Sequence, residues 1–475
     1  MTNKNSQRRY EIGMVGLGVM GRNLLLNMAE HGHSVAGYDK DAGKIEALRK
    51  EAEGRHICAA TSLKECVALL RVPRAVMMLV PAGAPIDAVI HDLLSCLAHG
   101  DLLIDGGNSH FKDTDLRAKT LAERGIQFLG VGVSGGEHGA RHGPSIMPGG
   151  PREAYERVSP IFEAIAARVD SDPCVTWLGP RSAGHYVKMV HNGIEYGLMR
   201  LISETYDLMK RGLGLTDDDL AEVYDLWNRE ELNSYLVEIT AQIFRRVDEK
   251  TGKRLVDLIL DEAKQKGTGM WTSQDAMDLQ VPLPTIDAAV AMRNLSAYKG
   301  ERDLAGKAFA RTIPTFCSNR GAFLTQLHDA LYAGTILTYA QGMAQLRKAS
   351  ETYAYSLNLE NIARIWRGGC IIRSRLLEPI RLAYRAKPDL SNLLLDPTLG
   401  QVVMARQENL RAVVRAAVDW GIAAPALMAS LGYFDAYRSP WMPANLIQAQ
   451  RDYFGSHTYE RVDANGVFHT QWSPE

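Results

Sequence analysis

Short apolar runs alternate with amphipathic helical patterns over residues 1–182. The runs YEIGMVG, HSVAGYD, RAVMMLV, DLLIDGG and IQFLGVGVSGG have the length and composition of buried strands. Segments with apolar residues at helical spacing follow them. Strands that alternate with helices are typical of a doubly wound parallel sheet, so we predict an α/β domain over this part of the chain.

Residues 183–440 have a different pattern, in which long helical periods dominate and clusters of β-branched residues are few. We therefore predict an all-helical domain there. Residues 441–475 are rich in aromatic and turn residues. We expect them to form a C-terminal tail that requires another surface to bury its aromatic side chains.

The helical region has a pattern that suggests an internal duplication. The segment from Leu220 to Trp227 has the same spacing of leucine and tryptophan as the segment from Leu359 to Trp366. The sequences upstream of the two segments, HNGIEYGLMRLISETYDLM and HDALYAGTILTYAQGMAQL, share a weaker similarity. Two tryptophan-containing helices can also match by chance, so both interpretations stay open.

The stretch KMVHNGIEYG, residues 188–197, combines ionisable side chains with an apolar pattern. On a helix, Asn192 and Glu195 fall within about 40° of Lys188, and Tyr196 lies at about 80°. The opposite stripe is apolar: Val187, Val190, Ile194, Leu198 and Leu201. A solvated helix face would give a similar pattern, but such faces favour several lysines and glutamates. One base and one acid beside neutral hydrogen-bonding groups favour an active-site wall.

Composition limits the other classes of function. The 475 residues are 46% hydrophobic and 23% charged, with a net charge of −1, so neither nucleic acid nor an anionic membrane is an expected partner. The N-terminus is polar, and no apolar run approaches the ~20 residues that span a bilayer. The cysteines have no CxxC or metal-ligand spacing, which favours reduced thiols, a cytoplasmic location and no metal. They are Cys58, Cys66, Cys96, Cys174, Cys317 and Cys370.

The stretch VGLGVMGRN contains the G-x-G-x-x-G pattern between a predicted strand and a predicted helix. Such glycines allow a tight turn, a close approach of a pyrophosphate and close packing of helix on strand. Asp39 ends the next predicted strand, where an acidic residue binds a ribose in many such folds. We therefore predict a Rossmann-type dinucleotide-binding domain. The predicted contacts are Gly16, Leu17, Gly18, Val19, Met20, Gly21, Asp39, Lys40, Asp41, Val80, Pro81, Ala82 and Asn108.

Further polar loops follow predicted strands or helices. IDGGNS contains Asn108, and GVGVSGGEHGARHGPSIMPGG contains Ser134; both could expose backbone N–H groups at the ligand edge of the sheet, or could be ordinary turns. QKGTGMW has the composition of a phosphate-binding loop. Four further side chains could bind an anion or could be ordinary surface groups: Lys266, Arg293, Arg451 and His457.

Together these segments closely resemble the 6-phosphogluconate dehydrogenase family. VSGGEHGARHGPSIMPGG and KMVHNGIEYG carry the resemblance most specifically, and GLGVMG, DGGNS, QKGTG and QRDYFGSHTYE extend it over nearly the whole chain. The resemblance implies a homodimer that converts 6-phosphogluconate to ribulose 5-phosphate and CO2 while it reduces a nicotinamide cofactor, without a metal. It also implies active sites that the two subunits share.

The resemblance also implies a role for each matching residue. Lys188 would act as the general base and Glu195 as the general acid. The sugar-acid end would be bound by Asn108, Ser134, Gly135, Gly136, His191 and Asn192. The phosphate would be bound by Tyr196, Lys266, Thr268 and Arg293, with Arg451 and His457 from the tail of the other subunit.

Two alternative functions are compatible with the same fold. A related β-hydroxyacid dehydrogenase would oxidise its substrate without decarboxylation, but it would lack the phosphate-binding residues and Glu195. A catalytically inactive nucleotide-binding assembly protein would lack Lys188 or Glu195. The sequence retains both sets of residues.

The cofactor motif departs from the family pattern. Members that prefer NADP usually end the second strand in Asn-Arg-Thr, whereas this chain has Asp39, Lys40 and Asp41, and it has Pro81 where the family commonly has lysine. A carboxylate accepts hydrogen bonds from the ribose of NAD and repels a 2′-phosphate. Lys40 and Lys44 act in the opposite direction. We predict that NAD is preferred over NADP.

Overall fold

The structure is a computed structural model that describes residues 9–314 and 319–472. Five of the cysteines are free thiols in it, and Cys317 lies outside the described residues. The chain folds into a sheet with helices on both faces, then a large helical region, then a short tail. The predicted fold class is therefore confirmed.

Seven strands form the sheet of the first region, in the order β3-β2-β1-β4-β5-β6-β7. Their bounds are β1 Ile12–Val15, β2 Val35–Tyr38, β3 Ile57–Ala59, β4 Ala75–Met78, β5 Leu102–Asp105, β6 Gln127–Val133 and β7 Ile146–Gly149. All five predicted strands are present. The predicted parallel sheet is confirmed for β1 to β6, and the unpredicted edge strand β7 differs because it pairs antiparallel with β6.

The two unpredicted strands carry weak sequence signals. β3 has only three residues, all partly exposed, and therefore lacks a buried apolar run. β7 has the sequence IMPG and lies inside the glycine-rich segment that we interpreted as a loop. Its partner strand β6 supplies the pairing that fixes it.

Helices cover both faces of this sheet. Their bounds are α1 Val19–Glu30, α2 Ala42–Glu51, α3 Leu63–Ala68, α4 Ala84–Leu93, α5 Phe111–Ala122, α6 Gly136–His142 and α7 Arg152–Ile165. One face buries a cluster that includes Leu24 and Phe162, and the other buries a cluster that includes Ile86 and Leu121. This arrangement places the carboxyl ends of the parallel strands at one ligand-accessible edge.

A short hairpin, β8 Arg168–Val169 and β9 Asp172–Pro173, leads to the long helix α8 Ala183–Asp207. The first turn of α8 packs directly on the sheet. A Cβ at Gly184 would lie 2.3 Å from the carbonyl oxygen of Met147 and 2.4 Å from that of Gly130. Because no side chain fits there, the start of α8 is held against β6 and β7.

The helical region continues with ten α-helices among the described residues. They are α9 Asp217–Arg229, α10 Tyr235–Arg245, α11 Thr268–Asp278, α12 Pro284–Ser296, α13 Lys299–Ala308, α14 Arg320–Thr352, α15 Leu359–Trp366, α16 Leu377–Ala386, α17 Pro397–Trp420 and α18 Pro425–Tyr437. A π-helical segment, Leu208–Gly212, and two 3₁₀ turns, Leu255–Leu258 and Leu393–Leu395, join them.

The two long helices α8 and α14 pack against each other at the centre of this region. A Cβ at Gly342 of α14 would lie 2.5 Å from the side chain of Ile194, and one at Gly197 of α8 would lie 2.6 Å from Thr338. The order α8, α9, α10 resembles the order α14, α15, α16, with buried Trp227 and Trp366 at corresponding places. The internal duplication stays a hypothesis.

The tail comprises α19 Ala444–Gly455 and a hairpin of β10 Tyr459–Glu460 and β11 Val467–Phe468. Many of its apolar side chains are exposed in the single chain: Trp441, Met442, Leu446, Ile447, Tyr453, Phe454, Val467 and Trp472. Among the described residues, no helix has both the length and the apolar composition that crossing a membrane requires.

Candidate active site

The polar face of α8 is buried inside the protein. Lys188 is 5% exposed, His191 is 0% exposed and Tyr196 is 5% exposed, while Asn192 and Glu195 are partly buried. The interpretation of a solvated helix face is therefore wrong. Burying this set of side chains is costly unless each group finds a partner, so the contacts of this face are informative.

Lys188 lies at the centre of a small polar cluster. Its Nζ donates to Oδ1 of Asn192 at 2.5 Å and lies 3.3 Å from Nδ1 of His191. Burial lowers the pKa of the Lys188 ammonium, and the nearby carboxylate of Glu195 opposes this shift only in part. A buried lysine with a lowered pKa can be neutral and can accept a proton.

Glu195 lies two helical turns further along the same face. One of its oxygens is 3.9 Å from Nδ1 of His191. Burial raises the pKa of the Glu195 carboxyl, although the cationic side chains of Lys188 and Arg293 act in the opposite direction. The carboxyl can therefore retain a proton and donate it. Burial also holds the pKa of His191 well below its usual value, so the imidazole is a neutral hydrogen-bonding group.

The loop after β6 reaches this cluster from the sheet. The Ser134 hydroxyl lies 3.3 Å from Nε2 of His191. A Cβ at Gly132 would lie 2.4 Å from Cβ of Lys188, which explains the close approach of strand and helix. Gly135 has a φ of 106°, which side chains rarely tolerate, and the space beside Gly136 is open.

The amino-terminal end of α11 lies beside the other end of the polar face. Nδ2 of Asn192 donates to the Thr268 hydroxyl at 3.0 Å, and the guanidinium of Arg293 stacks 3.5 Å above the Tyr196 ring. A Cβ at Gly269 would lie 2.3 Å from the same ring. A helix amino terminus, a hydroxyl and a guanidinium are suited to an anion, and the exposed side chain of Lys266 lies on the same loop.

The fingerprint glycines have the geometry of a dinucleotide site. A Cβ at Gly16 would lie 2.4 Å from the Leu79 carbonyl oxygen, and one at Gly21 would lie 1.9 Å from the carbonyl oxygen of Gly16. A Cβ at Gly18 would meet nothing within 4 Å. The open space at Gly18, at the amino terminus of α1, fits a pyrophosphate. Leu17 is buried in this loop, Met20 is half-buried and Val19 is exposed.

Asp39 has a contact that the sequence did not predict. Its Oδ2 accepts from the backbone N–H of Leu17 at 2.7 Å and its Oδ1 from that of Asp41 at 2.9 Å, with Nζ of Lys44 at 3.4 Å. Burial opposes ionisation, but these donors outweigh it and lower the pKa of Asp39. The carboxylate therefore holds the fingerprint loop. Lys40 and Asp41 are exposed at the same edge.

The loops after β4 and β5 complete the cofactor edge. Val80, Pro81 and Ala82 connect β4 to α4, and a Cβ at Gly107 would lie 2.6 Å from the Val80 carbonyl oxygen. Asn108 has a φ of 54°, and its buried Oδ1 accepts no hydrogen bond from the residues that the structure describes. An unpaired buried acceptor at this position is consistent with a bound ligand as its partner.

Arg451 and His457 make their observed contacts within the tail. Arg451 donates to Gln448 at 3.0 Å, and His457 packs edge-on against Phe454. Both are exposed. The single chain therefore does not bring them into the polar cluster of α8.

A group of metal-ligating side chains lies elsewhere, at Glu231, His328 and Asp329. Arg406 donates to Glu231 at 2.6 Å, and its Nε lies 3.2 Å from Asp329. Because a guanidinium already neutralises these carboxylates, the group is better explained as an ion-pair network.

Comparisons with known proteins agree with this geometry. The sequence-family model for the NAD binding domain of 6-phosphogluconate dehydrogenase matches residues 11–179. The family model for the C-terminal domain of 6-phosphogluconate dehydrogenase matches residues 184–472. The chain belongs to the 6-phosphogluconate dehydrogenase family. The predicted resemblance is thus confirmed.

Individual members of the 6-phosphogluconate dehydrogenase family match over nearly the full length. The NADP(+)-dependent, decarboxylating enzyme of Bacillus subtilis is 52% identical over 465 residues, which cover 98% of this chain and 99% of that protein. The decarboxylating enzyme of Synechococcus elongatus is 53% identical over 466 residues, with coverages of 97% and 99%. A structure of the Plasmodium falciparum enzyme, studied in its apo form, with NADP+ and with 6-phosphogluconate, has a TM-score of 0.94 and 43% identity, with coverages of 97% and 100%.

Three residues behind the site were missed by the sequence reasoning. Buried Asp105 accepts from the Ser109 hydroxyl at 2.6 Å and from the backbone N–H of Gly107 at 2.9 Å, which shapes the loop of Asn108. Arg117 donates to Ser109 at 3.0 Å. His185, three residues before Lys188, lies 3.0 Å from the Asp105 carbonyl oxygen and so joins α8 to this loop. The polar residue Asp105 at the end of an apolar strand was the available signal.

Proposed function

We propose that the chain catalyses the oxidative decarboxylation of 6-phosphogluconate to ribulose 5-phosphate and CO2 with reduction of a nicotinamide cofactor. One observation carries the proposal: Lys188 and Glu195 are held on one buried helix face, and burial shifts their pKa values in opposite directions. This arrangement supplies a base and an acid to one bound molecule.

The two side chains act at different stages. Lys188 in its neutral form would take the proton of the C3 hydroxyl. A nicotinamide cofactor held at the fingerprint loop would supply the acceptor for the hydride of C3. The resulting ammonium polarises the 3-keto oxygen and donates its proton to it as the C1–C2 bond breaks, so that CO2 leaves and an enediol forms. Glu195 donates a proton to C1 of the enediol, the former C2, while Lys188 takes the proton of the enediol hydroxyl that becomes the ketone. Transfer of that proton from Lys188 to Glu195 restores both groups, so the proton taken from the substrate hydroxyl balances the one that enters at C1.

The remaining residues bind the two ends of the substrate. Ser134, Gly135, Gly136 and His191 bind the sugar-acid end together with Asn108 and Asn192. Tyr196, Lys266, Thr268 and Arg293 bind the phosphate. The stacking of Arg293 on the Tyr196 ring and the close approach of Gly269, next to Thr268, to the same ring support this division. In this proposal the domain of residues 1–182 holds the cofactor, and the helical domain of residues 183–440 supplies the catalytic and phosphate-binding residues. The tail of residues 441–475 contacts the partner subunit.

In this proposal the protein is a homodimer, and each active site contains residues of both subunits. The exposed apolar side chains of the tail support it, because such a surface favours a partner. Arg451 and His457 of one tail would then reach the phosphate bound by the other subunit. Mixing Arg451→Ala subunits with Lys188→Met subunits should restore activity in verified hybrid dimers, since one site then has both residues. Failure of the hybrids to regain activity would exclude a shared site.

NAD is the preferred cofactor in this proposal. Asp39 places a buried carboxylate at the end of β2, and Pro81 supplies neither charge nor donor in the next loop. The B. subtilis relative is named as NADP(+)-dependent, and the P. falciparum enzyme was studied with NADP+. A clear preference for NADP in kcat/KM, measured at saturating 6-phosphogluconate, would show that Lys40 and Lys44 outweigh Asp39.

The substrate assignment is tested by comparing 6-phosphogluconate with gluconate. Loss of the phosphate removes at least two charge-assisted hydrogen bonds, each of about 1.5–3 kcal/mol, so kcat/KM should fall at least about a hundredfold. Cofactor reduction followed at 340 nm gives both values. Equal rates with the two acids would favour the non-decarboxylating alternative, and an absence of any reduction would favour the inactive assembly protein.

A further inference from the structure

Asp452 is a buried carboxylate in an otherwise exposed helix. It lies near the end of α19 and is 0% exposed, whereas the adjacent side chains of Tyr453 and Phe454 are 61% and 73% exposed. A carboxylate in such a position needs several hydrogen-bond donors to compensate for lost water. In the proposed function the tail acts through Arg451 and His457 and not through Asp452.

Four donors from the rest of the tail converge on this carboxylate. Oδ1 accepts from the backbone N–H of Thr458 and from Nδ1 of His469, both at 2.9 Å. Oδ2 accepts from the backbone N–H of Thr470 at 3.0 Å and from Nε1 of Trp472 at 2.8 Å. The carboxylate therefore ties the end of α19 to the turn that follows it and to the chain beyond β11.

These contacts hold the backbone next to the two side chains that the proposed function assigns to the phosphate. Arg451 directly precedes Asp452, and His457 directly precedes Thr458. Ser456 and Thr458 have φ values of 51° and 61°, which is a strained conformation for residues other than glycine, above all for a β-branched threonine. The bond from the Thr458 N–H to Asp452 stabilises this turn and with it the direction of His457.

We propose that Asp452 is a positioning residue that shapes the tail, so that Arg451 and His457 bind the substrate phosphate in the partner subunit. This inference rests on the proposed function and adds a residue to it. Asp452 itself contacts no substrate. Its effect should therefore appear in the site of the other subunit.

The first test is the kinetics of two substitutions. Asp452→Asn retains one acceptor oxygen and Asp452→Ala retains none, so KM for 6-phosphogluconate should rise at least about tenfold in Asp452→Asn and further in Asp452→Ala. The KM of the cofactor should stay within about twofold, because the fingerprint loop is distant in the chain and unchanged. Asp463→Asn is the matched control, since Asp463 lies in the same tail and is 61% exposed. Its KM values should equal those of the wild type.

The second test separates positioning in trans from a structural effect within one subunit. In hybrids of Asp452→Ala and Lys188→Met subunits, one site combines Lys188 with an intact tail, so activity should approach half of the wild-type value. In hybrids of wild-type and doubly substituted Lys188→Met/Asp452→Ala subunits, no site combines Lys188 with an intact tail. Activity should then stay no higher than that of the Asp452→Ala homodimer.

Three outcomes overturn the inference. They are an unchanged KM for 6-phosphogluconate in Asp452→Ala, equal activity in the two kinds of hybrid, and an equal rise of KM for substrate and cofactor. If the wild-type protein does not turn over 6-phosphogluconate, the proposed function itself fails. If it does and Asp452→Ala matches it, only the role of Asp452 fails.

Discussion

Replacement of Asp39 by asparagine tests the cofactor site most sharply, because the carboxylate has two separate roles. It accepts from the backbone N–H groups of Leu17 and Asp41. In the proposed cofactor site it also lies where a 2′-phosphate would approach. An asparagine offers one acceptor oxygen, so its amide nitrogen would face the other backbone N–H. We therefore expect a common loss of affinity for both cofactors and a separate change in their ratio.

The common loss follows from the hydrogen bonds. A buried donor without a partner costs about 1–3 kcal/mol, so the KD of NAD should rise by about fivefold to a hundredfold in Asp39→Asn. The upper end applies if cofactor binding is what orders the fingerprint loop. The ratio changes because the negative charge that repels a 2′-phosphate is removed. In the double variant Asp39→Asn/Lys40→Arg, the ratio of the affinities for NADP and NAD should rise by about tenfold or more, which corresponds to about 1.4 kcal/mol or more.

Titration of both cofactors by quenching of protein fluorescence measures the two effects. Asp41→Asn is the control, because Asp41 caps α2 through the N–H of Gly43 and an asparagine caps equally well. It should change the ratio slightly and leave the affinity for NAD within about twofold. An unchanged affinity for NAD in Asp39→Asn would refute the structural role of the carboxylate. A common loss with an unchanged ratio would refute its role in cofactor preference.

The remaining predictions concern catalysis and stability. Lys188→Met should abolish hydride transfer and leave cofactor binding nearly intact, since a base is lost far from the fingerprint loop; single-turnover rates within about tenfold of wild type would contradict this. The kcat/KM profile should rise with pH as Lys188, whose pKa is lowered, loses its proton, and fall as Glu195, whose pKa is raised, loses its own. Glu195→Gln should slow turnover and remove the fall on the high-pH side of the profile, and an unaltered profile would exclude Glu195 as the acid. Glu204→Gln should destabilise the fold by about 1–3 kcal/mol in urea unfolding, because Glu204 accepts from Ala426 and Leu427 at the start of α18, whereas exposed Glu222→Gln should not.

The fold class was predictable because its signals are local. Five buried strands and the glycine fingerprint each occupy a short segment, so their pattern is visible without tertiary contacts. β7 was missed because its pairing with β6 is a tertiary contact, and its sequence, IMPG, resembles a turn. A single sequence does not encode such pairings in its periodicity.

The site was predictable in its residue types and less so in its environment. The polar face of α8 was visible in the sequence, but its burial depends on Gly132 and on the amino-terminal end of α11, which pack over it from other parts of the chain. The hydrogen bonds of Asp39 to the fingerprint loop and those of Asp452 within the tail were missed for the same reason. The sequence shows both carboxylates but not the donors that surround them.

The most direct test of the central claim follows the carboxyl carbon of the substrate. The purified protein is incubated with NAD and 6-phosphogluconate labelled with ¹³C at C1, and reduced cofactor and labelled CO2 are measured in the same sample. The account predicts equal amounts of the two products in the wild type and neither in Lys188→Met. Reduced cofactor without labelled CO2, or labelled CO2 formation that persists in Lys188→Met, would contradict it.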